Sequence, residues 1–160
     1  MRERRSARVL LIGPSDRLLL VRFEDDAIQG GPRCFWATVG GGLEEGEDVR
    51  AGAAREVREE TGLDDFELGP VVWYRDKLLV IHGEPILFRE TYAVARSRTE
   101  TLRTDGWTEL ERRVIREMRW WTLEELAATR EVIFPGMLVA LLPDILAGRY
   151  PVPPLLIDPS

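Results

Sequence analysis

The chain has 160 residues, 44% of them apolar and 31% charged, and a net charge of −6. That composition excludes a disordered or membrane-embedded chain, and the length suits one domain, residues 1–160, with a sizeable core. One cysteine, Cys34, and one histidine, His82, argue against a disulfide framework, zinc knuckles and histidine-based triads. The longest apolar stretch, Val132 to Leu146, is broken by Pro135, Gly136, Pro143 and Asp144, so no spanning helix of about 20 residues is expected. The basic start, Met1-Arg2-Glu3-Arg4-Arg5, leads only to a short apolar run from Val9 to Ile12. A signal peptide needs about 7–15 apolar residues, so the cytosol is the expected location.

In chain order, Ala7 to Ile12 predicts a buried strand and Gly13-Pro14-Ser15-Asp16 a turn. Arg17 to Phe23 predicts a second strand, hairpinned to the first. Glu24 to Arg33, with Gly30, Gly31 and Pro32, is a loop. Phe35 to Val39 is a short strand ended by Gly40-Gly41-Gly42. Asp48 is a fitting N-cap for a helix to about Thr61, with Gly62 as its stop. Phe66 to Ile81 and Pro85 to Ala95 predict two long strands around a His82-Gly83-Glu84 turn. Arg96 to Glu111 is polar and is expected to loop, with one short helical piece. Ile115 to Trp121 predicts a strand. Thr122 opens a helix with Glu125 at capping-box spacing. Phe134 to Leu146 predicts a last apolar helix, and the Pro-rich tail from Pro151 is expected to be extended. The sum is a mixed α/β chain.

The charge is local. Between Gly41 and Asp65 stand nine acids and three arginines, and the rest of the chain balances. No basic footprint for long nucleic acid exists. Glu56, Glu59 and Glu60, at i, i+3 and i+4, share one helix face, where like charges repel by a few tenths of a kcal/mol per pair. Mg²⁺ or Mn²⁺ would offset that repulsion and leave open positions for phosphate oxygens. Arg55, four residues before Glu59, is placed to orient it. Gly40, Gly41 and Gly42 let the backbone approach a ligand closely.

Gly41, Glu47, and the run Arg55-Glu56-Val57-Arg58-Glu59-Glu60-Thr61-Gly62-Leu63 resemble the Nudix box, Gly-x5-Glu-x7-Arg-Glu-U-x-Glu-Glu-x-Gly-U with U aliphatic. All nine specified positions match. Arg119-Trp120-Trp121-Thr122-Leu123-Glu124-Glu125-Leu126 is similar to a strand-to-helix segment found late in such domains. Val39 departs from the family, which commonly has proline there. The resemblance implies an α/β/α sandwich around a mixed sheet. It also implies metal-dependent hydrolysis of a nucleoside diphosphate linked to another moiety. By position it implies Glu59 and Glu60 as principal metal ligands, and Glu56 as ligand or base. The Gly40 carbonyl would complete the shell, and Glu47 and Arg55 would brace the loop. Gly41, Gly42 and Arg22 are the expected substrate contacts. Some members take the base from a later loop, and here Glu109 and Glu111 rank ahead of Glu100.

Cys34 reads as an idle thiol and His82 as solvated. Trp73, Tyr74, Phe88, Tyr92 and Trp107 could each stack a base, but aromatics are mostly core. Arg75, Lys77 and Arg89 are further phosphate candidates. A non-catalytic nucleotide sensor on the same fold is the alternative, disfavoured by the intact box. An isoprenoid diphosphate isomerase on this fold would need a catalytic cysteine and several metal-binding histidines, and one cysteine and one histidine argue against it. No marker chooses among nucleoside triphosphates, ADP-ribose, nucleotide sugars and dinucleoside polyphosphates. The Phe134 to Leu146 segment and the tail could serve a homodimer.

Overall fold

The computed structural model describes residues 1–160. Strand β1 (Arg2–Ile12) is followed by β2 (Leu18–Glu24) and β3 (Cys34–Gly42), then helix α1 (Val49–Thr61). The long strands β4 (Phe66–Ile81) and β5 (Glu84–Ser97) come next, followed by the short helix α2 (Glu109–Val114). The chain ends with β6 (Ile115–Trp121), α3 (Leu123–Ala128), β7 (Ile133–Phe134), α4 (Leu138–Leu146) and β8 (Leu155–Leu156). One mixed sheet runs β6-β2-β3-β1-β5-β4-β8, with β7 beside β3. β1 is central, antiparallel to β3 and parallel to β5. Because helices cover both faces there, Val9 to Ile12 reads as a continuous apolar run rather than an alternating one.

The two faces carry separate cores. Ala7, Val9 and Leu11 pack with Ala53 and Val57 of α1 and with Ile115 and Trp120 of β6. Leu10 and Ile12 pack with Trp36, Trp121, Leu126 of α3 and Leu138, Leu142 and Ile145 of α4. The result is the expected α/β/α sandwich with a central mixed sheet. No helix is long and apolar enough to cross a membrane.

Three boundaries differ from expectation. β1 begins at Arg2, not Ala7, because Arg2 to Arg5 pair residue for residue with Ile86 to Arg89. The backbone is bonded while the side chains stay in water, so hydropathy carries no trace of it. β3 runs on through the three glycines, which lie opposite Arg8, Ala7 and Ser6. The last helix starts at Leu138, because Phe134 joins β3 through Ala37. A residue before proline is pushed to extended conformation, and Pro135 does that to Phe134. The tail is extended as expected, and Leu155 and Leu156 pair with Trp73 and Tyr74.

The helix caps foreseen are formed. Asp48 accepts from the Ala51 amide at 2.8 Å, and Gly62 closes α1 in the left-handed region at φ 73°. Thr122 and Glu125 make a reciprocal capping box on α3. Thr122→Ala is expected to cost about 1 kcal/mol, read as a drop of about 2–4 °C in thermal midpoint.

Candidate active site

α1 presents its carboxylates to the glycine end of β3. Gly40 has φ 139°, and a Cβ there would fall 2.1 Å from the Ala7 carbonyl oxygen, so only glycine fits. A Cβ on Gly41 would fall 2.7 Å from Glu56 Oε1. The missing side chains let β3 and α1 close on each other, and the Gly40 amide reaches Glu60 Oε1 at 3.4 Å.

Arg55 ties this junction together. Its Nε and one NH₂ group grip both oxygens of Glu47 at 2.8 Å. The other NH₂ group donates to Glu56 and Glu59, each at 3.1 Å. The Gly42 carbonyl accepts from the same guanidinium at 3.2 Å. Glu47 also accepts from the Glu44 amide at 3.0 Å. The Arg55 fork, then that amide, hold the Glu47 carboxyl down at about 2. The carboxylates in turn push the Arg55 guanidinium up.

One oxygen each from Glu56, Glu60 and Glu111 lie within 4.8 Å of one another. Glu60 is 2% exposed and Glu56 8%. Burial raises the Glu56 carboxyl, partly offset by Arg55. Burial, then contact with Glu111, raises Glu60 well above the ordinary carboxyl range. Three converging hard oxygens with desolvated charge fit a small divalent cation of the Mg²⁺ or Mn²⁺ type.

Glu111 arrives through the segment after β5. The Arg103 amide bonds the Thr61 carbonyl at 2.8 Å, and the Trp107 indole bonds the Glu60 carbonyl at 2.7 Å. Gly106 lies so near the Glu59 carbonyl that a Cβ would stand 2.6 Å from it. The segment is thereby fastened over the last turns of α1. A capping box with Thr108 then sets the Glu111 carboxylate, which accepts the Thr108 amide at 2.9 Å.

A NUDIX domain matches residues 2–142 of the chain. The chain belongs to the Nudix family. It is a Nudix hydrolase, acting on the acid-anhydride bonds of phosphorus compounds. Its fold is shared by solved structures, among them these three. A UDP-X diphosphatase superposes with TM-score 0.66 at 15% identity, covering 98% of this chain and 68% of that one. An ADP-ribose pyrophosphatase from Streptococcus suis gives 0.61 at 18% identity, covering 97% and 98%. A MutT protein from Methanosarcina mazei Go1 gives 0.58 at 19% identity, covering 92% and 93%. At these identities the likeness is one of fold. No curated protein matches the chain.

The structure brings together Glu56, Glu60, Gly41, Gly42, Arg55 and Glu47 of the Nudix box with Gly40 just before it. Glu59 stands on the outer side, 44% exposed and paired with Arg55. Of the later acids, Glu111 joins the cluster, Glu109 pairs with Arg113 in solvent, and Glu100 binds Ser15 and Arg17. Arg22 pairs with Glu117 and lies over Trp36, four residues before Gly40 on β3, about 13 Å along the strand. Trp73 and Tyr92 are core, whereas Tyr74 is partly exposed. The sequence offered a signal for Glu111: Thr108-x-x-Glu111 has capping-box spacing. It offered none for Arg8, whose guanidinium donates to the Gly40 carbonyl at 3.2 Å.

Proposed function

We propose that this Nudix hydrolase is a divalent-metal-dependent pyrophosphohydrolase of a nucleoside diphosphate linked to another moiety. The observation that carries the reading is the Glu56–Glu60–Glu111 cluster closing on Gly40 and Gly41, with Arg55 and Glu47 holding the loop beside it. Glu60, Glu56 and Glu111 would hold Mg²⁺ or Mn²⁺, and Glu59, on the outer side, would join the shell only by leaving Arg55. A metal held there would neutralise diphosphate charge and lower the pKa of bound water. Glu56 suits the base: burial raises its carboxyl above the ordinary value, and Arg55 fixes one of its oxygens. A carboxylate with a raised pKa is the stronger proton acceptor. Glu111 is the second candidate, because its capping bond fixes its carboxylate within the same cluster.

Two of the structural neighbours are a UDP-X diphosphatase and an ADP-ribose pyrophosphatase. Both names support a two-part nucleotide as substrate, with cleavage between the phosphates. A cytosolic location fits that substrate class. The exposed Leu155, Leu156 and Val152 of the tail are the surface we assign to a homodimer.

The test is product release across nucleoside triphosphates, ADP-ribose, nucleotide sugars and dinucleoside polyphosphates, with Mg²⁺, with Mn²⁺ and with chelator. Turnover of a nucleotide sugar or ADP-ribose, lost in chelator, is expected. Nucleotide binding without turnover of any substrate would replace the reading with a sensor.

A further inference from the structure

A second charged cluster lies across the sheet from α1. Arg8 shares the face of Leu10 and Ile12, because alternate residues of a strand point the same way. Its Nε donates to Glu90 Oε2 at 2.9 Å and its NH1 to the Gly40 carbonyl at 3.2 Å. The other Glu90 oxygen accepts from Arg75 and, at 3.2 Å, from the Tyr92 hydroxyl. Arg75 also donates to the Pro159 carbonyl at 2.8 Å. Glu90 and Arg75 are nearly buried, at 7% and 6% exposure. Two guanidiniums thus share one buried carboxylate, and the further acid on the Arg75 side, Asp158, does not face Arg8. A buried charge is costly unless an anion answers it.

The acid outside the cluster that acts on Arg8 is Glu60, on the other side of a single residue. Gly40 bonds Glu60 through its amide and Arg8 through its carbonyl. Under the pyrophosphohydrolase reading, on which this inference rests, the Glu60 charge is committed to the metal. Arg8 then lacks a full counter-charge. Its remaining NH₂ group has no protein partner, and its side chain keeps 20% exposure. The charge is therefore held rigidly by Glu90 yet open at one edge, one residue away from the carboxylate cluster.

We propose that Arg8 contacts the substrate. Its open NH₂ edge binds a non-bridging oxygen of the diphosphate that is cleaved at the Glu56–Glu60–Glu111 cluster. Glu90, fixed by Arg75 and Tyr92, is the positioning residue that aims that edge. Glycine at position 40 is part of the same device, since a Cβ there would stand 2.8 Å from the Arg8 Cα and force β1 and β3 apart.

The test uses the full chain with Arg8→Gln, Arg8→Lys and Glu90→Gln. Binding of α,β-methylene-ADP and of methylenediphosphonate is measured by calorimetry in Mg²⁺, beside KM and kcat for the best substrate. Losing a charged hydrogen bond is expected to weaken binding and raise KM on the order of 10- to 100-fold in Arg8→Gln. Arg8→Lys should recover part of the affinity, because it keeps the charge but not the fork. Its thermal midpoint should stay near wild type, which separates lost contact from lost fold. Mn²⁺ affinity, followed by electron paramagnetic resonance, should not change. Wild-type ligand affinity in both Arg8 variants would overturn the proposal. So would an equal loss of Mn²⁺ affinity, which would make Arg8 only a prop for Gly40. Wild-type protein that turns over nothing yet binds methylenediphosphonate through Arg8 would sink the enzymatic reading and keep the contact. Wild-type protein that binds neither probe would sink the contact as well.

Discussion

Glu60→Gln is expected to lower kcat/KM on the order of 10³-fold or more, with the fold intact. Losing one charged ligand oxygen forfeits several kcal/mol of charge stabilisation, at about 1.4 kcal/mol per decade of rate. The substitution keeps the shape and one carbonyl oxygen that still accepts from the Gly40 amide. Stability should not fall, because Glu60 is a liability to the metal-free protein. Its carboxyl is raised by burial and by Glu111, so the folded state holds the proton more tightly than the unfolded chain. Linkage then makes stability decline as pH rises above the ordinary carboxyl value. In chelator, the wild-type thermal midpoint should drop across that window, and the Gln variant should drop less. Added Mg²⁺ should raise the wild-type midpoint, more at pH 8 than at pH 5, because binding must displace a proton. The variant should show little of that rise. Undiminished turnover in Glu60→Gln would remove the α1 carboxylates from the chemistry.

How far the site was legible depends on how local its signals are. Glu56, Glu59 and Glu60 sit on one helix, so their spacing alone placed them on one face. Yet the structure splits them. Glu60 and Glu56 turn to the glycines, while Glu59 goes outward to Arg55, a division made by where α1 lies on β3. Glu111 was one of three acids in a polar stretch. Only the fastening of that stretch through Arg103, Gly106 and Trp107 to α1 separates it from Glu109 and Glu100. The Arg8 and Glu90 pairing joins residues 82 apart in sequence, across a parallel register that no local pattern encodes. The same register explains the early start of β1. Its polar residues are held by main-chain bonds to β5 and carry no apolar rhythm. The strands with buried faces and the capped helices were legible because their signals lie within a few residues.

Arg55→Lys is expected to cost on the order of 10- to 100-fold in kcat/KM, the usual effect of disturbing residues that orient ligands. A lysine keeps the charge but offers a single ammonium in place of a planar fork. It cannot grip both Glu47 oxygens while reaching Glu56, Glu59 and the Gly42 carbonyl, all of which Arg55 contacts. The first grip to go should be the paired one on Glu47, whose carboxyl is held at about 2 chiefly by that fork. Carbon-detected NMR titration of Glu47 should therefore show its midpoint moving up toward the ordinary value of 4.5. A lowered carboxyl pKa lends stability above the ordinary value and loses it as pH falls toward the folded one. The brace between the Glu44–Glu47 loop and α1 should thus fail at a higher pH in the variant. Glu47→Gln should reproduce much of the activity loss, and the double variant should be little worse than either single one, since both break one connection. Additive losses would mean that Arg55 acts mainly on Glu56 and Glu59. An unmoved Glu47 midpoint with full activity would show that the loop is held without Arg55.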